Sequence, residues 1–297
     1  MSDIEILCVD GSRAADVVAV IHEAFANRPP LDPPATALDE TVETVRRSLD
    51  DHGGLLVEHQ GKPVGALLFD PRGRMLGLRR VGVLADVRGY GVAAQLASRA
   101  REIAQQEGYT GLEIEARVEL PQTIRFWRNL GYAESHREGN RLLMVRLLPT
   151  TVELPTARDT HDLGKSIAAR LRAGDLVILT GDLGAGKTTL TQGIGEGLGV
   201  RGSVTSPTFV ISRIHPSRGI GPALVHVDAY RLGDTAELDD LDLDTDLDEA
   251  VTVVEWGEGL AEVLSSDRLE LDLHHRSDDV RELTITPVGP RWREFEL

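Results

Sequence analysis

The sequence predicts two α/β domains: a mixed sheet with flanking helices over residues 1–149, and a phosphate-loop (P-loop) nucleotide-binding sheet over 150–297. Three observations carry that reading. The length of 297 residues exceeds one ordinary core and fits two of about 150. Short apolar runs alternate with amphipathic stretches of helical period through both halves. Finally, Gly181-Asp182-Leu183-Gly184-Ala185-Gly186-Lys187-Thr188 fits G-x-x-x-x-G-K-[ST] without a mismatch.

In the first half, Ile4 to Val9 reads as a strand, and Ala14 to Phe25 as a helix with Val17, Val20, Ile21 and Ala24 on one face. A loop holding Pro29, Pro30, Pro33 and Pro34 leads to a second amphipathic helix from about Asp39 to Leu49. Leu55 to Val57 and Val64 to Phe69 flank Gly61-Lys62, a hairpin signal. Leu76 to Val83 is the next strand, and Gly91 to Glu107 a long helix closed by Gly108. Leu112 to Val118 is a strand, Ile124 to Leu130 a short helix stopped by Gly131, and Arg141 to Leu148 the closing strand.

Pro149-Thr150-Thr151 and Pro155 mark the seam. A helix from about Thr160 to Leu171 follows, and then Leu176 to Leu179, a buried strand that runs into the phosphate loop. Thr188 to Gly199 reads as a helix stopped by Gly197 and Gly199. Further strands are expected at Phe209 to Ile211, Leu224 to Val227, Val251 to Val254, Leu269 to Leu271 and Leu283 to Ile285. From Leu238 to Leu247, acids alternate with leucine. This run lacks the glycine and ligand spacing of a Ca²⁺ loop and reads as an acidic face over an apolar one.

Charge is uneven. Residues 1–149 carry 18 basic and 21 acidic side chains, and residues 150–297 carry 14 and 27, so the second half supplies −13 of the net −16. That argues against direct contact between the second half and a nucleic-acid backbone, which needs a basic face. A single cysteine, Cys8, rules out an intrachain disulfide and a CxxC metal site and suits a reducing compartment. The first residues lack a basic and apolar leader, and no apolar run approaches the ~20 residues of a membrane span. A cytoplasmic protein without membrane attachment is expected.

The phosphate loop has a definite chemistry. Its glycines let successive N–H groups turn inward on phosphate oxygens, Lys187 reaches the β- and γ-phosphates, and the Thr188 hydroxyl ligates Mg²⁺. The loop joins a strand to a helix N-terminus, whose dipole adds to the anion site. Two apolar strands then end in acids, Leu224 to Val227 in Asp228 and Val251 to Val254 in Glu255. Carboxylates at the C-terminal ends of neighbouring parallel strands converge on the edge where the loop lies.

These pieces occur in the order of a known family. Gly181 to Thr188 is followed by Thr189, then Val204-Thr205-Ser206-Pro207-Thr208-Phe209, His226-Val227-Asp228-Ala229-Tyr230-Arg231-Leu232 and Val254-Glu255-Trp256-Gly257-Glu258. From about Glu153 onward the chain resembles the TsaE family, the small ATPase of the bacterial machinery that makes threonylcarbamoyladenosine in tRNA. The resemblance implies ATP and Mg²⁺ binding and weak ATPase activity in the service of TsaD- and TsaB-like partners, with tRNA reached only through them. It implies that Lys187 and Thr188 hold phosphate and Mg²⁺, that Asp228 and Glu255 govern Mg²⁺ and the attacking water, and that Thr208 senses the nucleotide. Which carboxylate ligates Mg²⁺ directly is open from sequence. The competing use of the loop is a small-molecule kinase, which closes an arginine-bearing lid over the transferred phosphate. Only acids follow Arg231 as far as Glu249, which disfavours it. Tyr230 and Trp256 read equally as core aromatics or as partner contacts.

The first half holds a second anion site. Val83-Leu84-Ala85-Asp86-Val87-Arg88-Gly89-Tyr90-Gly91-Val92-Ala93 lies between a strand and the long helix and contains R-x-x-G-x-A. Small residues there let helix N-terminal amides meet a pyrophosphate. With Phe126-Trp127-Arg128-Asn129-Leu130-Gly131-Tyr132 downstream, residues 3–148 resemble the GNAT acetyltransferases. That resemblance implies acetyl-CoA, with Val83, Arg88, Gly89, Tyr90, Gly91, Val92 and Ala93 in contact with it. The family commonly has a tyrosine acid where Trp127 stands, and an indole cannot protonate a thiolate. Tyr132 and Tyr90 are the alternatives. Glu113 and Glu115 share one face of a strand beside the cleft and read as bases or, with slight preference, as solvent-facing acids. The whole reads as an acetylating domain of open acceptor joined to an ATPase; the runner-up is a P-loop small-molecule kinase joined to a CoA-binding regulatory module without turnover.

Overall fold

The alternation of apolar strands and amphipathic helices resolves into two seven-stranded sheets. The computed structural model describes residues 4–26, 28–29, 31–34, 36–87, 89–207, 210–233, 237, 248–276 and 280–295. Arg88, Thr208 and the run from Leu238 to Leu247 lie outside the described residues. Contacts divide the chain into two units, Met1–Leu148 and Pro149–Leu297. Among the described residues, no helix is long and apolar enough to cross a membrane.

The first unit runs β1 (Ile4–Val9), α1 (Ala14–Ala26), α2 (Val42–His52), β2 (Gly54–His59), β3 (Lys62–Arg72), β4 (Met75–Val83), α3 (Val92–Gln106), β5 (Gly111–Arg117), α4 (Pro121–Asn129), β6 (Ala133–Glu138) and β7 (Arg141–Leu147). Its sheet order is β1-β2-β3-β4-β5-β7-β6, antiparallel except for β4 and β5. Gln60 and Gly61 both adopt positive φ, the turn that matches strand twist in a two-residue hairpin. Thr41 caps α2 in a reciprocal pair with Thr44. Side-chain alternation gives the sheet two buried faces: Leu56, Ala66 and Leu68 pack with α1 and α2, while Leu55, Leu67, Leu76 and Leu112 pack with Leu96 and Ala100 of α3 and Trp127 of α4. Each fully buried leucine contributes about 1.5–3 kcal/mol.

One irregularity shapes this sheet. Opposite Ala66 to Leu68 of β3, β4 carries an extra residue at Arg80, whose φ is +55°, so the strand bulges. The parallel β4–β5 ladder ends at Leu78 and Ile114, although β5 continues with β7 to Arg117. Beyond that point β4 and β5 part, and α3 begins just past the end of β4. The polar strand β6 was not expected from the sequence; its alternation of half-buried and exposed residues marks a sheet edge with little apolar signal.

The second unit runs β8 (Thr150–Leu154), α5 (Ala157–Ala168), β9 (Leu176–Gly181), α6 (Lys187–Leu198), β10 (Ser212–His215), β11 (Ala223–Asp228), β12 (Ala250–Glu255), β13 (Arg268–His275) and β14 (Arg281–Val288). The sheet order is β10-β11-β12-β9-β13-β14-β8, with β11, β12, β9 and β13 parallel. Two expectations need correction. The threonines read as a seam form strand β8, which pairs with β14; β-branched residues at a free edge prefer the ladder. Of the strand expected at Phe209 to Ile211, Phe209 lies outside the described residues and the other two are not extended; Ile211 sits at φ +65°, and the strand there begins at Ser212. Gly197 lies inside α6, which ends at Gly199 in a left-handed cap.

Because β8 completes the second sheet, a fragment beginning at Pro149 should be soluble and unfold in one cooperative transition. A fragment beginning at Pro155 would lack the edge strand and should be less stable. Urea unfolding of both checks this; an insoluble Pro149 fragment beside a stable full chain would overturn the boundary.

Candidate functional site

β9 sits between β12 and β13, and at its C-terminal end the chain turns through Asp182, Leu183, Gly184, Ala185 and Gly186 into α6. Gly181 is at φ +124°, and a Cβ there would run into the Leu273 carbonyl of β13, so only glycine fits. Gly186 is the left-handed N-cap of α6, whose first amides lack intrahelical acceptors. A Cβ on Gly184 would meet nothing within 4 Å, so the loop is open on that side.

Lys187 opens α6, followed by Thr188 and Thr189. Its ammonium folds back and donates to the Gly181 and Asp182 carbonyls, both at 2.8 Å. The Trp256 ring lies over it at 3.7 Å. Burial pushes the Lys187 ammonium below the ordinary lysine value, against the pull of Glu255, Asp228 and Asp182. Trp256 holds a left-handed φ of +61°, a conformation that costs a bulky residue about 1–3 kcal/mol. Tyr230 is 66% exposed, with its ring 5.4 Å from that of Trp256, so it is not a core aromatic.

The parallel register pairs Asp228 with Glu255 and Glu255 with Leu179, which brings both acids to the loop end of the sheet. Both are buried, yet their partners differ. The Thr188 hydroxyl donates to Glu255, 3.2 Å from Oε1 and 3.5 Å from Oε2. Glu255 Oε1 also lies 2.9 Å from His226 Nε2 and 3.5 Å from Thr191 Oγ1. Asp228 instead accepts from Ser206 Oγ and from the Tyr230 amide, each at 3.2 Å.

Hydroxyl and carboxylate oxygens are the hard donors that Mg²⁺ takes, usually with phosphate oxygens and water completing the shell. Thr188 and Glu255 therefore fit the cation, and the open side at Gly184 fits the phosphates. Among the described residues, no group of three or more His, Cys, Asp or Glu side chains could hold a metal alone.

Sequence patterns gave no role to several residues here. Arg281 donates from Nε to the Ala185 carbonyl at 3.0 Å, across 96 positions of sequence. His274 lies 2.8 Å from Asp272 and 3.4 Å from Asp182, and these carboxylates, Asp272 foremost, hold its imidazole above the usual histidine range. His226, Thr191 and Ser206 complete the set.

In the first unit, Val83 ends β4, Gly89, Tyr90 and Gly91 form the turn, and Val92 and Ala93 open α3. Gly91, at φ +74°, is the N-cap and brings no capping side chain, leaving the first-turn amides of α3 to another acceptor. A Cβ on Gly89 would meet nothing within 4 Å. Free amides at an open helix N-terminus are the donors a pyrophosphate takes. Trp127 is buried edge-to-face between Phe126, at 5.1 Å, and Tyr132, at 4.9 Å. Burial pushes the Tyr132 phenol above the usual tyrosine value, whereas Tyr90 is exposed. Glu113 is buried and paired with Arg72 at 3.0 Å, not solvent-facing; Glu115 is exposed.

Known families match two separate stretches of the chain. Residues 154–283 match the family model described as threonylcarbamoyl adenosine biosynthesis protein TsaE, and residues 20–132 match that of the acetyltransferase (GNAT) family. The tRNA threonylcarbamoyladenosine biosynthesis protein TsaE of Streptomyces coelicolor is 62% identical over 142 residues, spanning 46% of this chain and 96% of its own length. Its counterpart in Mycobacterium tuberculosis H37Rv is 54% identical over 134 residues, 43% of this chain and 80% of its own. Among solved structures, an N-acetyltransferase (PaiA) of Thermoplasma acidophilum, crystallised with coenzyme A, is 13% identical, with a TM-score of 0.44 over 49% of this chain and 99% of its own.

Proposed function

Through its second unit the chain belongs to the TsaE family, with a GNAT domain ahead of it, and from that premise we propose a bifunctional cytoplasmic protein with domains at 1–149 and 150–297. The second domain is a Mg²⁺-dependent ATPase that supports threonylcarbamoyladenosine formation in tRNA together with TsaD- and TsaB-like proteins. The first binds acetyl-CoA and acetylates an amine.

The observation that carries the ATPase reading is the contact of Thr188 with Glu255 at the mouth of the loop. Glu255 is the carboxylate on the Mg²⁺ side, and Asp228, one strand further out, orients the attacking water. Mg²⁺ bound there supplies neutralisation of charge on the β- and γ-phosphate oxygens. The loop and α6 amides hold the phosphates, and Lys187 exchanges the Gly181 and Asp182 carbonyls for phosphate oxygens as the charge develops. Trp256 lies over the lysine and excludes water from its path. In the first domain, the α3 amides and Gly89–Ala93, with Arg88, hold the pyrophosphate, and the proton for the departing thiolate comes from a group other than Trp127.

The reading is tested by adding the purified full chain, with ATP and unmodified tRNA, to an extract of bacterial cells depleted of their own TsaE-like protein, which supplies the TsaD- and TsaB-like proteins and the precursors of the transferred group. Modified adenosine detected by mass spectrometry should depend on the chain and on ATP. Equal modification without the chain would sink it.

A further inference from the structure

The contacts of Glu255 carry one step more, which rests on the Mg²⁺–nucleotide reading above. Among the described residues three donors approach this carboxylate: Thr188, Thr191 and His226. They are not equivalent. Thr191 has a single hydroxyl proton and lies 3.0 Å from the Lys187 carbonyl but 3.5 Å from Glu255, so the proton serves the carbonyl. Thr188 stands 3.2 and 3.5 Å from the two oxygens and does not fix which of them faces the loop. It is also the hydroxyl that serves the cation.

His226 is different. It is wholly buried, two residues below Asp228 on β11, and its Nε2 lies 2.9 Å from Oε1 alone. A carboxylate only accepts, so Nε2 is the donor of this bond. Nδ1 is buried and has no hydrogen-bond partner among the described residues. The imidazole is thus committed to Glu255 by one bond and by nothing else polar.

The geometry points to His226 as a positioning residue: its Nε2–H pins Oε1 of Glu255, fixes the carboxylate plane, and leaves Oε2 as the oxygen presented to Mg²⁺. Partners of this kind orient ligands that touch the metal, and their loss typically weakens metal binding or activity by about 10- to 100-fold.

The test uses the full chain and binding rather than turnover. ADP affinity is measured by calorimetry in EDTA and over a Mg²⁺ series, for wild type and for His226→Ala, His226→Asn and His226→Gln. A glutamine amide reaches the place of Nε2, whereas an asparagine amide falls short near Nδ1. The alanine and asparagine variants should need about 10- to 100-fold more Mg²⁺ for the same tightening of ADP, with affinity in EDTA unchanged. The glutamine variant should stay close to wild type. If His226→Ala does not fold, as judged by urea unfolding, the asparagine–glutamine pair decides. Glutamine as impaired as asparagine, or asparagine equal to wild type, overturns the inference and leaves the site reading intact. Wild-type ADP binding that ignores Mg²⁺ removes both.

Discussion

Lys187→Ala should lower ATP turnover by at least roughly two to three orders of magnitude, the scale of removing one preorganised charge donor from a transition state. The lysine is buried among the loop carbonyls and the Trp256 ring, and three carboxylates, Glu255, Asp228 and Asp182, stand close enough to draw its charge. Removing it takes away the side-chain charge closest to the loop, which Mg²⁺ on the Glu255 side does not replace. Nucleotide affinity should fall as well. Glu255→Gln and Asp228→Asn keep side-chain volume and remove charge, so each should cut turnover more than affinity. Steady-state hydrolysis alongside ADP calorimetry separates these effects. Variants that hydrolyse ATP at the wild-type rate would remove the site assignment.

Some of this site is legible in sequence because the loop is local. Glycines, lysine and threonine occupy consecutive positions, and an apolar strand before them with a helix after them is all the context the pattern needs. Asp228 and Glu255 are legible for a related reason, since each ends an apolar run. What separates their partners is not local. The contact of Glu255 with Thr188 depends on β12 lying next to β9, and His226 reaches Glu255 only because β11 and β12 pair in a register that aligns Asp228 with Glu255. Arg281 is beyond any motif, as it arrives on a strand at the far side of the sheet.

The same distinction explains the errors in the fold. β6 and β8 are edge strands of polar and β-branched residues, and an edge carries half the burial signal of a central strand. Glu113 illustrates the limit of periodicity. Alternation puts it on one face with Glu115, but Arg72, from a different strand, pairs with it in its buried place, and nothing near residue 113 announces that.

Gly91→Glu should abolish acetyl-CoA binding to the first domain while leaving its fold intact. Gly91 is the N-cap of α3 at φ +74°, so any side chain there is strained by about 1–2 kcal/mol, a loss the buried cluster around Leu96 and Leu112 can absorb. A Cβ at this position meets only the Gln95 amide at 3.9 Å, so the glutamate has room and occupies the space in front of the helix amides. Its charge would then satisfy the helix N-terminus and repel a pyrophosphate. Gly91→Ala carries the same backbone strain without the charge and should weaken binding far less, which separates the two causes. Calorimetry with acetyl-CoA on wild type and both variants gives the first result, and a free-thiol assay against amines and peptide N-termini gives the second. Because the position of the usual tyrosine acid holds buried Trp127, and burial makes the Tyr132 phenol a weaker acid than usual, thiol release should be slow compared with binding. Binding with no thiol release across a broad acceptor panel would favour a regulatory CoA-sensing domain, and no binding by wild type would remove the acetyl-CoA reading.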